Sequence, residues 1–178
     1  MLASATSAGL RTLAVVRASS SIRDLTEADV QRALGGLPDA EGYVLRVVSL
    51  RYRDRPHLSA WTDFEERSIT LQVPEPFYPF GEVVPYAAVR RHGKGMRFIW
   101  LSEGITFRTP REVLRFLYLH EWMHWFLRER LGRKARAETA CDRFALWNYR
   151  RRTVTQDDAR EALRRRGGAA AAPGAPSG

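Results

Sequence analysis

The sequence predicts an α+β fold in which a small mixed sheet packs on one long, largely buried helix. Three observations predict it. Apolar residues recur at helical spacing from Val113 to Leu131. Short runs rich in Val, Ile, Leu and aromatic residues, bounded by Gly and Pro, occupy the chain between Tyr43 and Leu101. A second helical stripe, Ala140, Phe144, Ala145 and Leu146, follows the long helix after a short Gly132-Arg133-Lys134 loop. A chain of 178 residues with 44% hydrophobic content is large enough for one domain with a sizeable core.

Residues 1–22 contain arginine and serine but no acid, a composition faintly like a mitochondrial transit peptide, and they lack the apolar run of a secretory signal. A disordered leader is expected there, with a single domain over 23–166. Thr26-Glu27-Ala28-Asp29 opens a short helix that Gly35-Gly36 ends. Tyr43 to Leu50 reads as a strand, and Ser68 to Val73 as another that places Ile69, Leu71 and Val73 on one face. Pro74, Pro76, Pro79, Pro85 and Gly81 predict a long loop from Val73 to Tyr86. Arg97 to Leu101 reads as a strand between glycines. The long helix starts with Thr109 as N-cap, Pro110 at the first position and Glu112 at the third, and Gly132 stops it. A second helix is expected over Ala135 to Tyr149 and a short C-terminal helix after it. Residues 167–178, rich in Gly, Ala and Pro, are expected to be disordered.

His120-Glu121-Trp122-Met123-His124 reads H-E-x-x-H and lies inside the long helix. Positions i and i+4 share a helical face, so the two imidazoles can bind one Zn²⁺ with Glu121 beside them as general base. Burying two histidines and a carboxylate without partners is costly, and a metal compensates. A third ligand is expected from the returning helix. The point level with His124 falls near position 140, and Glu138 and Asp142 straddle it one turn apart. Glu138, with the longer side chain, is the expected ligand. Asp142 is expected behind it, accepting the N–H of a ligand histidine. The reverse assignment, with Asp142 as ligand, is the alternative.

H-E-x-x-H followed by E-x-x-x-D resembles the gluzincin branch of zinc metallopeptidases. On a small chain it is more closely similar to the ImmA/IrrE-type peptidases and the minigluzincins, over about Arg97 to Tyr149. The resemblance implies a zincin-like fold, zinc held by His120, His124 and Glu138, and hydrolysis of a protein or peptide substrate with Glu121 as the base. It also implies an edge strand beside the cleft that pairs with extended substrate, here Ser68–Val73 or Arg97–Leu101. The donor that stabilises the oxyanion is open: Tyr149 first, then His92, Tyr86 and Tyr118. SprT-like peptidases are a neighbouring family, but their usual third histidine is missing here.

A net charge of +9 comes almost wholly from arginine. Arg128, Arg130, Arg133, Lys134 and Arg136 surround the hairpin loop, and Arg150 to Arg152 and Arg164 to Arg166 follow. A solvated basic face is the ordinary reading, and nucleic-acid contact or an acidic substrate is allowed. Two alternatives to the peptidase therefore stand: a nucleic-acid-associated SprT-like protein and a non-catalytic interaction module on a zincin fold. The single cysteine, Cys141, excludes an internal disulfide and suits a reducing, cytoplasmic setting. No run is long enough to span a membrane.

Overall fold

The computed structural model describes residues 18–51, 55–91, 97–133 and 137–165. Expectations for residues 1–17, His92, Lys134, Arg136, Arg166 and the 167–178 tail lie outside the described residues. The fold is α+β, as the sequence predicts. Four strands form a mixed sheet in the order β1 (Ala18–Ser20), β2 (Val44–Ser49), β4 (Ser68–Val73), β3 (Ser59–Asp63). The first three are parallel and β3 runs antiparallel to β4. A second, two-stranded antiparallel sheet pairs β5 (Gly81–Arg91) with β6 (Arg97–Thr106). The helices are α1 (Glu27–Leu34), α2 (Pro110–Trp125), α3 (Glu138–Asn148) and α4 (Gln156–Arg164).

Two boundaries differ from expectation. The leader expected over 1–22 does not extend to its end: Ala18–Ser20 pairs with Leu45–Val47, and Ile22 is buried. Three small residues carry no periodicity, so only the neighbouring strand reveals this one. The loop expected from Val73 to Tyr86 ends at Phe80, because β5 begins at Gly81. Pro85 lies inside that strand, where the register shifts between Pro85 and Ala87. A residue without an N–H is tolerated at such a bulge, which leaves a ladder position unpaired.

Helix α2 is framed as its sequence predicts. The Thr109 side chain accepts from the Glu112 N–H at 3.3 Å. Glu112 reaches back one residue further than a standard capping box, accepting from the Arg108 N–H at 2.7 Å. After Trp125 the helix widens into a π-helical segment, Phe126–Arg130, and the chain leaves at Gly132 with φ of 60°. Leu45 and Val47 of β2, Ile69, Leu71 and Val73 of β4, and the α2 residues Val113, Leu114, Leu117 and Met123 share one core. Most of the α2 surface is covered: β3, β4, α1 and α3 all pack on it.

A buried arginine joins the helix ends. The Arg115 side chain is wholly enclosed and donates to five backbone carbonyls: Ala33 and Gly35 at 3.0 Å, Tyr149 at 3.0 Å, Arg152 at 3.4 Å, and Arg151. Ala33, Gly35 and Tyr149 end α1 and α3, where the helix dipole is negative and intrahelical donors run out, and Arg151 and Arg152 lie in the turn that follows α3. The same junction brings Gly36 so close to Arg152 that a Cβ would lie 2.3 Å from its carbonyl oxygen, and Gly36 has φ of 82°. Only glycine fits there.

Candidate metal centre

α2 carries the site on the one face that is not sealed by the core. His120 and His124 are stacked one turn apart, with ring centroids 4.9 Å apart. Trp122 and Trp125 turn the other way. Trp122 stacks on Phe126 and Phe144, and its indole N–H donates to the Asp39 carbonyl at 3.1 Å. Trp122, inside the motif, thus anchors the helix and leaves its histidines aimed at the cleft.

Three donor atoms converge. His120 Nε2 and His124 Nε2 are 3.1 Å apart, and Glu138 Oε2 lies 3.3 Å from the first and 3.5 Å from the second. Among the described residues, these three form a group able to hold a metal ion. The fit can be tested on the spacing. Ligands about 2.0–2.2 Å from a tetrahedral metal stand about 3.3–3.6 Å from one another, close to the distances found. Two imidazole nitrogens and one carboxylate form a donor set that suits a first-row divalent metal such as zinc or iron and leave room for further ligands.

Behind the ligands, His120 Nδ1 donates to Asp142 Oδ1 at 2.8 Å. This fixes which ring nitrogen faces Glu138. Burial alone would push the His120 imidazole toward the neutral form. The Asp142 and Glu138 carboxylates outweigh it and hold the pKa up, at about 10. Glu138 is mostly exposed, and its pKa is lowered chiefly by the bond to His120. A cation is therefore favoured at this point, as a proton or as a metal that displaces it. Asp142→Ala should weaken zinc binding about 10–100-fold, and Glu138→Ala more, since it removes a ligand. Zinc titrations of the two variants check the order. A greater loss in the Asp142 variant would invert the assignment.

Glu121 sits beside this group and is almost fully buried. Its Oε1 lies 3.9 Å from His120 Nε2, and its Oε2 accepts from the Thr62 hydroxyl at 2.8 Å. Burial raises its pKa, while the histidines and Thr62 oppose the shift. Thr62 comes from β3, 59 residues earlier, and no local motif marks it. Thr62→Val keeps the shape and removes the bond that orients the carboxylate. For the hydrolysis proposed below, loss of a hydrogen bond to a charged group predicts a fall in turnover of roughly tenfold or more. Unchanged turnover in that variant would show that Glu121 needs no such support.

The edge strand that lines the cleft is β3, not either strand expected from sequence. β4 is internal, and β6 belongs to the second sheet. Ser59–Asp63 contains too few apolar residues to stand out, which is why the sequence hides it. Ala60, Trp61, Thr62 and Phe64 line one wall of a cleft of about 280 Å³, and His120, Glu121, His124 and Glu138 line the other.

The candidate oxyanion donors fare differently. Tyr149 is buried with its ring edge-on to Phe107 and Phe116, and it does not line the cleft. It lies two turns beyond Asp142, about 10 Å along α3 and away from His120. Tyr118 is buried and donates to the Pro38 carbonyl at 2.9 Å. Tyr86 packs against the core. None of the three is brought to the metal group. His92 is outside the described residues.

The basic residues are spread over several surfaces. Arg130 pairs with Glu41, Arg150 with Glu112, Arg151 with Asp158, and both Arg164 and Arg165 with Glu161. Arg128 lies over the Phe64 ring, 4.1 Å from its centroid. Among the described residues, no helix is long and apolar enough to cross a membrane. Comparison with protein-family models, curated proteins and solved structures gives no match.

Proposed function

We propose that the chain is a zinc-dependent metallopeptidase that hydrolyses peptide bonds in an extended protein segment. The observation that carries this reading is the convergence of His120 Nε2, His124 Nε2 and Glu138 Oε2 beside a buried, oriented Glu121. A purely structural zinc site closes its fourth position and needs no general base. This one has an open side facing a cleft and a carboxylate next to it.

Zinc held by these three residues would polarise a carbonyl and make water acidic enough to attack near neutral pH. Glu121 accepts the proton released from the attacking water and returns it to the leaving amine. Its raised pKa suits both roles, because a carboxylate poised nearer neutrality both takes and gives a proton readily. Thr62 holds that carboxylate in one rotamer. Asp142 holds the His120 ring. The open edge of β3 runs along the cleft and offers backbone pairing to an extended substrate.

Purified protein should contain about one zinc per chain by elemental analysis and should cleave an unfolded protein such as reduced casein. His124→Ala should lose both metal and cleavage. Folded protein that neither contains nor takes up zinc would overturn the reading.

A further inference from the structure

We propose that Trp61 sets the side-chain preference of the cleft, selecting an aromatic or β-branched residue in the extended peptide. This rests on the peptidase reading above and names the substrate class of that site. The argument is one of register. Thr62 points toward α2, since its hydroxyl bonds Glu121. Side chains alternate along a strand, so Ala60 shares that face, while the Trp61 side chain leaves on the other one, at the rim of the cleft that this residue helps to line. Ala60 indeed packs against the core, whereas Trp61 is 45% exposed.

β3 pairs with β4 on one side only, with Trp61 opposite Thr70. A peptide added to the open edge would alternate in the same way. One of its side chains would lie beside Thr62, toward the metal group. The next would lie beside Trp61 on the outer face. The residue read by Trp61 therefore neighbours the one held over His120 and Glu121.

The chemistry of the outer face favours an apolar partner. Edge strands usually carry charge that discourages pairing, and β3 carries an indole at its centre instead. Arg46, Glu66 and Asp63 are already engaged. Arg46 pairs with Glu66 at 3.3 Å, and Asp63 accepts from the backbone N–H groups of Glu65 and Glu66 at 2.9 and 2.8 Å. What remains for a neighbouring strand is an exposed aromatic ring, and such rings pair best with aromatic or β-branched residues.

The test uses the zinc-loaded full chain and a fluorogenic peptide library in which each position in turn is Trp, Tyr, Val, Gly or Asp. One position should show a preference of about threefold to tenfold for Trp, Tyr or Val over Gly or Asp. In Trp61→Ala that preference should disappear through KM, with kcat for the same peptides changed far less. Trp61→Phe should restore most of it. Cleavage with an unchanged preference in Trp61→Ala would overturn this inference and leave the peptidase reading intact. No cleavage of any peptide by the wild-type chain would overturn both. Concentration-dependent dimers that vanish in Trp61→Ala, without a change in preference, would assign the edge to a second copy of the chain instead.

Discussion

Glu121→Gln should retain zinc and fold while losing hydrolysis by a factor of about 100 to 10,000, the range that a positioned general base contributes. The amide is the same size as the carboxylate and still accepts the Thr62 hydroxyl bond, so the cleft keeps its shape. What it lacks is the negative charge that makes the oxygen basic enough to take up a proton. Removing a buried charge beside His120 also relieves a desolvation cost, so the variant should be at least as stable as the parent. Zinc content, thermal midpoint and peptide turnover measured together separate these effects. Turnover equal to the parent, with zinc bound, would exclude Glu121 as the base. Simultaneous loss of zinc would mean that the carboxylate helps to hold the metal.

Arg115→Met should destabilise the chain by about 3–5 kcal/mol, since several backbone carbonyls lose their donor at once and each one left unpaired costs about 1–3 kcal/mol. Methionine fills much of the volume but donates nothing. Five carbonyls, at the ends of α1 and α3 and in the turn after α3, then lose a donor that is buried or partly buried. For a chain of this length, roughly 2–4 °C per kcal/mol implies a fall in melting temperature of about 10 °C. Arg115→Lys should recover only part of it, because three ammonium donors cannot span the fork of carbonyls. Burial lowers the guanidinium pKa to about 10, with Arg111 adding to the effect, so the group is charged at neutral pH. Urea unfolding gives the measurement. A midpoint within error of the parent would show that the carbonyls find other donors. The metal site should survive in the folded fraction, since Arg115 lies more than one turn from His120.

Much of the site was legible in the sequence because its parts are local. His120, Glu121 and His124 lie within five residues on one helix, and Glu138 and Asp142 return on the next. Helical geometry fixes spacing over such distances, so a short hairpin predicts which residues face each other. The caps of α1 and α2 were legible for the same reason: Thr26 and Thr109 bond groups only a few residues away. The split between ligand and supporting residue followed from side-chain length, with Asp142 on His120 Nδ1 and Glu138 at the Nε2 atoms.

The same local logic failed where distance along the helix mattered more than face. Tyr149 shares a face with Asp142 but lies two turns away, and the aromatic pair Phe107 and Phe116 claims its ring. Pro85 read as loop because proline breaks a regular ladder, yet a bulge in a two-stranded sheet has room for it. By itself, then, the sequence determined the α+β class, the helix that bears the motif, and the donor set of the candidate metal centre. Tertiary structure alone decided that β3 is the edge strand lining the cleft, that Thr62 orients Glu121, and that Arg115 ties the helix ends together. Those contacts join residues from 34 to 82 positions apart. Such pairings depend on how whole elements pack, and no periodicity within either partner encodes them.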